Sequence, residues 1–125
     1  MPTFSGYFIV FLGAGIGGAL RHAVNRAVLA SGSTFPWGTL AINVTGGLLM
    51  GMVAGWFAFR GSSSQELRLF LTTGILGGLT TFSAFTLEAG LLLERGRIRD
   101  AVAYSAGSVV LAIAALFVGL ALMRA

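Results

Sequence analysis

The sequence contains no cysteine and no lysine among its 125 residues, and it has only four acidic residues and one histidine. Without cysteine, the chain can form no disulfide, no thiolate metal site and no cysteine nucleophile. The few acids and the single histidine, His22, form no paired-carboxylate, Ser-His-Asp or metal-ligand pattern. The sequence therefore gives no support for an enzyme.

The composition is strongly apolar, with 56% hydrophobic residues, 10% charged residues and 19 glycines. A water-soluble domain needs a more polar exterior, so this composition indicates a membrane protein. All 8 basic residues are arginine, and the net charge is +4. In so apolar a chain, scattered arginines are typical of helix ends at lipid headgroups rather than of a nucleic-acid-binding surface. We expect contact with the lipid bilayer and no contact with nucleic acid.

Four apolar stretches are each close to the roughly 20 residues that a helix needs to cross a bilayer. Short connections rich in Gly, Ser, Pro or charged residues separate them. The sequence therefore predicts a single all-α transmembrane domain over residues 1–125, with spans at about 4–23, 37–59, 67–93 and 101–123.

Arginines are distributed almost evenly between the two sides of this predicted bundle. Five lie in or beside the first and third connections, and three lie at the opposite end. The positive-inside rule then gives only a weak preference, so we expect subunits to insert in both orientations and to pair as an antiparallel homodimer. Small residues four apart, such as Gly13 and Gly17, favour close helix contacts within the fold, within the dimer or in both.

The third span contains the stretch GGLTTFSAFTLE, which is unusually polar for a membrane helix. Its adjacent glycines, Gly77 and Gly78, are clustered with threonines and predict a break near the middle of this span. A break frees backbone groups that protein, water or ions must satisfy. Phe82 and Phe85 can present positive ring edges to an anion, although plain packing also explains such a pair. Glu88 lies either at the edge of a pathway or at the water-exposed end of the helix.

Polar residues also occur in the second and fourth spans. Asn43 lies inside the second span with Thr39 one turn earlier, and its amide either bonds another helix or serves a functional site. Tyr104 and Ser108 are one turn apart in the fourth span, where the hydroxyls form a polar track or, for the serine, bond the helix itself. Arg21, at the end of the first span, either attracts anions into a vestibule or anchors the helix at the interface.

Three segments resemble the small fluoride channels of microbial membranes known as the Fluc or CrcB family. They are GAGIGGALRH near the end of the first span, WGTLAINVTGGLLMG in the second and GGLTTFSAFTLE in the third, in the family's order and spacing. The last segment is the most specific, and the resemblance covers the whole chain. It implies an antiparallel, dual-topology homodimer in the bacterial inner (plasma) membrane, with two pathways that export cytoplasmic fluoride.

The resemblance also implies roles for individual residues. Phe82 and Phe85 match the family's paired pore phenylalanines, and Asn43 matches its pore asparagine. Gly77 and Thr80 match positions whose backbone carbonyls, from both subunits, hold a central structural sodium ion (Na+). The remaining matches are the vestibule arginine, the family's acid and the hydroxyls of the fourth helix, which are here Arg21, Glu88, Tyr104 and Ser108.

Ala84 departs from the family pattern, because it stands where the family usually has threonine. Alanine cannot donate a side-chain hydrogen bond, so conduction here would depend on Ser83, Thr86 or water instead. We therefore expect slower or altered transport through an intact fold, and we expect Ala84→Thr to change the transport rate.

The main alternative function is a proton-coupled small multidrug exporter, which is also a four-span, dually oriented dimer. Its chemistry needs an acid in the first span, whereas the acid clearly within a span here is Glu88 in the third. A noncatalytic assembly subunit, which would carry no ion flux, is a further alternative.

Overall fold

The computed structural model describes residues 3–32, 34–59 and 64–124, and this part of the chain is helical and contains no strand. Its elements in chain order are α1 (Thr3–Ala30), α2 (Trp37–Phe59), α3 (Gln65–Leu69), a π-helical segment (Phe70–Leu76), α4 (Gly77–Leu79), α5 (Phe82–Glu94) and α6 (Ile98–Arg124). The run from α3 to α5 forms the third span.

Four helical runs in the described residues are long and apolar enough to cross a membrane, which confirms the predicted all-α, four-span fold. They comprise Phe4–Ala30, Trp37–Phe59, Gln65–Glu94 and Ile98–Arg124. α1 continues beyond residue 23, where the sequence placed the end of the first span. The large apolar side chains mostly face outward, and Phe11 is 72% exposed and Phe117 63% exposed. Such a surface suits a lipid environment rather than water.

Glycines in the left-handed conformation end two of the helices. Gly32 follows α1 with a φ of 78°, and Gly96 follows α5 with a φ of 76°. At the end of α5, the Gly96 N–H donates to the Leu93 carbonyl at 3.0 Å, and the Arg97 N–H donates to the Leu92 carbonyl at 2.9 Å. These two bonds form a Schellman cap, which stops α5 and lets α6 begin almost at once.

Arg97 joins the two connections at this end of the bundle. Its Nε donates to Asp100 Oδ2 at 2.8 Å, and its Nη1 donates to Thr34 Oγ1 at 2.7 Å. Thr34 precedes α2, whereas Arg97 and Asp100 flank the start of α6. The connection before α2 is therefore held against the connection before α6.

Glycines allow the helices to pack backbone against backbone. A Cβ at Gly119 of α6 would lie 2.7 Å from the Met52 nitrogen of α2, and a Cβ at Gly17 of α1 would lie 2.7 Å from the Leu79 nitrogen of the third span. No side chain fits at such distances, because real Cβ contacts are longer. The small residues that the sequence offered for close contact thus join α2 to α6 and α1 to the third span.

The third span contains two residues with extended backbone. Thr80 has φ −100° and ψ 147°, and Thr81 has φ −151° and ψ 131°. The sequence pattern placed the interruption at Gly77 and Gly78, but both glycines are helical, as the first residues of α4. Gly78 packs tightly on α1, where a Cβ would lie 2.8 Å from the Ala14 Cα. This glycine therefore serves helix contact, and the extended residues come immediately after the contact.

Candidate functional site

A cavity of about 510 Å³, which we call the central cavity, lies between α2, the third span and α6. Residues predicted from the sequence contribute to its wall from all three elements. They are Asn43 of α2, Thr80, Phe82 and Phe85 of the third span, and Ser108 of α6. The structure therefore brings together side chains that are more than sixty positions apart in the chain, from 43 to 108.

The two phenylalanines form a connected pair at this cavity. The centroids of Phe82 and Phe85 are 5.6 Å apart, with the ring planes inclined at 38°. Phe85 also packs on Tyr104 of α6, with centroids 5.1 Å apart. Phe82 is 78% exposed, so its ring lies at the rim of the subunit. Tilted rings leave edge hydrogens, which carry partial positive charge, free to face a ligand.

Glu88 binds two hydroxyl groups on neighbouring helices. Thr39 Oγ1 donates to Glu88 Oε1 at 2.7 Å, and the Tyr104 hydroxyl donates to Glu88 Oε2 at 3.3 Å. Thr39 is 4% exposed and Tyr104 is fully buried. Hydrogen bonds to a carboxylate are stronger than neutral ones, so this network ties α5 to both α2 and α6. Each carboxylate oxygen of Glu88 thus accepts one of these two hydrogen bonds.

Ser108 carries a buried hydroxyl with no hydrogen-bond partner among the described residues. The residue is 3% exposed and lines the central cavity one turn beyond Tyr104. A buried hydroxyl without a partner costs about 1 to 3 kcal/mol, and native proteins rarely leave one unexplained. The sequence left open whether Ser108 bonds its own helix, and the geometry provides no such bond.

The extended residues Thr80 and Thr81 interrupt the hydrogen-bond ladder of the third span. The Thr80 N–H and its hydroxyl both donate to the Leu76 carbonyl, at 3.1 Å and 2.9 Å. The carbonyls that follow lie at the C-terminal end of α4, where helical donors are missing. One of them, the Gly78 oxygen, accepts a hydrogen bond from Arg21 Nε at 3.3 Å. Arg21 is therefore attached to this end of α4.

Three residues considered in the sequence lie away from the central cavity. Thr86 Oγ1 donates to the Phe82 carbonyl at 2.9 Å, so this hydroxyl is bonded to its own helix. Ser83 Oγ lies 2.9 Å from Thr81 Oγ1 on an exposed surface. Ala84 does not line the cavity either, and the effect of Ala84→Thr on transport stays a prediction. The spacing of these residues could not reveal this, because it does not say which face of α5 packs against the other helices.

Sequence reasoning missed two contributors to the site. Thr81 lines the central cavity beside Thr80, and the repeated threonine was the available signal. Phe35 packs edge-on against Tyr104, with centroids 5.8 Å apart and planes at 88°. Phe35 precedes α2 in a connection, so no helical periodicity connected it to Tyr104.

A second cavity of about 410 Å³, which we call the end cavity, lies toward the connections before α2 and after α5. Thr39 and Glu88 line it from the inside. The other described residues in its wall are Asn25, Val28, Leu29, Thr34, Phe35, Pro36, Gly38, Leu91, Leu92 and Arg95. Tyr104 contacts Phe85, which lines the central cavity, and Glu88, which lines the end cavity.

Comparisons of the sequence with a family model and with individual proteins point to the same family. Residues 8–120 match the family described as CrcB-like protein, Camphor Resistance (CrcB). A Rhodopseudomonas palustris protein named fluoride-specific ion channel FluC is 58% identical over 120 residues, covering 95% of this chain and 97% of the relative. A Nitrobacter hamburgensis protein named fluoride-specific ion channel FluC 2 is 56% identical over 119 residues, covering 94% and 96%. A Methylobacterium nodulans protein named fluoride-specific ion channel FluC is 57% identical over 116 residues, covering 93% and 94%.

These relatives are named as channels rather than enzymes, in agreement with the sequence. Their channel names and the four spanning helices indicate a multi-pass membrane protein. The family match covers most of the chain, and the relatives align over nearly their full lengths. The chain belongs to the CrcB-like family.

Proposed function

We propose that this protein is a fluoride-selective ion channel that exports cytoplasmic fluoride across the bacterial inner membrane. The observation that carries the proposal is Ser108, whose hydroxyl is buried without a partner among the described residues and which lines a cavity together with Asn43 and Phe85. An unpaired donor in such a cavity suits a small anion that accepts hydrogen bonds. The relatives are named fluoride-specific ion channels, which supports fluoride as that anion.

The chemistry of the pathway follows from the hydration of fluoride. A channel must replace the hydration shell of its ion, yet bind the ion weakly enough to release it. The Asn43 amide and the Ser108 hydroxyl supply donors, and the edges of Phe82 and Phe85 supply weaker positive potential. No full positive charge lines the described wall of the central cavity. Neutral donors avoid trapping the ion, as a lysine or arginine at the same place would.

Three helices contribute pairs of residues that lead from one cavity to the other. The pairs are Asn43 and Thr39 on α2, Phe85 and Glu88 on α5, and Ser108 and Tyr104 on α6. Members of each pair are three or four positions apart and so share a helix face. We propose that fluoride passes between these three helix faces. The Thr39 and Tyr104 hydroxyls, which bind Glu88, would form the constriction.

We also propose that two subunits pair in antiparallel orientation and form two pathways. Phe82 lines the central cavity yet is 78% exposed, so a second subunit would complete the wall of the cavity. Gly77 is exposed, and a Cβ at Gly15 or Gly18 would meet nothing within 4 Å. These small residues leave open faces on α1 and the third span that a partner can approach closely.

A structural sodium ion would fit the end of α4. The extended backbone at Thr80 leaves the Gly77 carbonyl without its usual helical donor, and carbonyl oxygens are suitable ligands for hard cations. Gly77 and Thr80 of both subunits would hold the ion at the dimer centre. Dimers purified in sodium should dissociate when sodium is replaced by a large organic cation, and unchanged dimers would count against this site.

Efflux of fluoride from liposomes that contain only this protein tests the proposed function. The wild-type protein should release fluoride, and Asn43→Asp should abolish the release, because a carboxylate repels an anion where the amide donates to it. Thr45→Val, an exposed position on the same helix, serves as the control and should conduct normally. Normal efflux through dimeric Asn43→Asp would remove Asn43 from the pathway, and absence of efflux in the wild type would refute the function.

A further inference from the structure

We propose that the end cavity is the second mouth of the ion pathway and that Arg95 draws anions into it. The inference rests on the proposed function, since it identifies where that same pathway meets water. The end cavity lies at the edge of the bundle, among the ends of α1 and α5 and the start of α2. Its polar lining residues are Asn25, Thr34, Thr39, Glu88 and Arg95.

Side-chain contacts connect the walls of the two cavities. Tyr104 contacts Phe85, which lines the central cavity, and donates to Glu88, which lines the end cavity. On α2, Asn43 faces the central cavity, whereas Thr39, one turn away, faces the end cavity. The proposed pathway therefore crosses from one space to the other at these side chains.

The charge of Glu88 explains why this mouth needs a positively charged side chain. Glu88 is the acidic residue among the described residues that line the end cavity, and its carboxylate would repel an approaching anion. Arg95 is the basic residue in the same wall. Arg97, two positions later, is bonded to Asp100 and Thr34, but Arg95 forms no ion pair within the described part of the chain. Its guanidinium therefore remains available to offset Glu88 and to concentrate anions.

A merely structural role for Arg95 makes a different prediction. Arg95 caps the C-terminal end of α5, where a positive side chain also favours the helix dipole and the lipid interface. In that role its replacement would alter stability, but it would not make fluoride flux depend differently on salt. Flux measured against ionic strength therefore separates the two roles.

The first experiment compares Arg95→Gln with Arg99→Gln in liposomes. Arg99 is an exposed arginine close by, in the first turn of α6, that does not line the end cavity. Arg95→Gln should lower fluoride efflux about tenfold at low ionic strength. This factor is at the lower end of the increases in association rate that electrostatic attraction of a ligand produces. The deficit should shrink at about 1 M salt, where charges are screened within roughly 3 Å. Arg95→Lys should retain most of the flux, and Arg99→Gln should behave as the wild type.

Equal loss in Arg95→Gln and Arg99→Gln, or a loss in Arg95→Gln that does not respond to salt, would overturn the proposed role of Arg95. A wild type that conducts no fluoride would instead refute the proposed function itself. The two failures are therefore distinguishable within one set of liposomes.

The second experiment uses the absence of cysteine from the chain. Leu91 of α5 lines the end cavity, whereas Leu93, two positions later, is 54% exposed on another face of the helix. Leu91→Cys and Leu93→Cys would each be treated with a methanethiosulfonate reagent that carries either a sulfonate or a trimethylammonium group. Modification of Leu91→Cys with the anionic reagent should block fluoride efflux more strongly than modification with the cationic reagent, and modified Leu93→Cys should conduct normally.

The extent of modification would be read by mass spectrometry. A thiol at Leu91→Cys that does not react, or that reacts without any change in efflux, would show that the end cavity is not a water-filled mouth. Val28→Cys, on the α1 side of the same cavity, provides a second variant if Leu91→Cys does not assemble.

Discussion

At the scale of single residues, Ser108 is the feature that ordinary packing explains least. Its hydroxyl is buried beside a cavity and has no partner in the described residues, whereas the Thr39 and Tyr104 hydroxyls both bind Glu88. Replacing a partnerless buried hydroxyl with a methyl group should cost little stability and can increase it. A residue retained for stability alone would therefore not need to be serine.

Ser108→Ala should reduce fluoride efflux while leaving thermal stability unchanged or raised. Ser105→Ala is the matched control, because Ser105 lies on the same helix and does not line the central cavity. Efflux from liposomes and thermal unfolding in detergent would both be measured. A clear loss of stability in Ser108→Ala with normal efflux would show that the hydroxyl is structural.

Several site residues could be predicted from the sequence because each helix repeats its polar face at one-turn spacing. Thr39 with Asn43 and Tyr104 with Ser108 were paired in this way. In the structure, Asn43 and Ser108 line the central cavity, whereas the Thr39 and Tyr104 hydroxyls both bind Glu88. The partners of individual hydroxyls could not be predicted. The Thr86 hydroxyl donates to the Phe82 carbonyl and does not face a cavity. Which residues of α5 face a cavity depends on how that helix packs, and the sequence does not show this.

At the scale of elements, the third span combines a π-helical segment with two extended residues. Phe70–Leu76 is π-helical, and Thr80 and Thr81 are extended. Such irregular turns are frequent at functional sites. The sequence indicated an irregular region from its glycines and threonines, but Gly78 proved to be helical because it meets α1 directly. Only the three-dimensional packing separates a glycine needed for contact from one needed for conformation.

Gly17→Ala should destabilise the protein, whereas Gly18→Ala should be tolerated. A Cβ at Gly17 would lie 2.7 Å from the Leu79 nitrogen, so α1 would have to move away from the third span. A Cβ at Gly18 meets nothing within 4 Å in the subunit. Over-packed contacts typically cost about 1 to 3 kcal/mol. Thermal unfolding of both variants in detergent would check the difference.

Equal stability of the two alanine variants would contradict the packing of α1 against the third span. Loss of dimer formation in Gly18→Ala, with an intact subunit, would instead locate a subunit contact on this face of α1.

At the scale of the whole molecule, the distribution of arginines predicts that subunits insert in both orientations. Ser31→Cys adds a thiol to the exposed connection after α1 without changing the charge of the chain. In intact cells, a membrane-impermeant maleimide should label about half of the molecules, and disruption of the cells should expose the rest. Labelling of all molecules or of none would contradict dual insertion, and the antiparallel dimer with it.

In the proposed channel, one face of the bundle, which includes Asn43, Phe85 and Ser108, conducts fluoride selectively. The most direct test measures fluoride and chloride efflux from liposomes that contain only the wild-type protein. Fluoride should be released rapidly, because the neutral donors and ring edges suit a small anion. Chloride should be released no faster than from protein-free liposomes. Equal release of both anions would contradict the claimed selectivity, and proton-driven movement of lipophilic cations without fluoride release would favour a multidrug exporter.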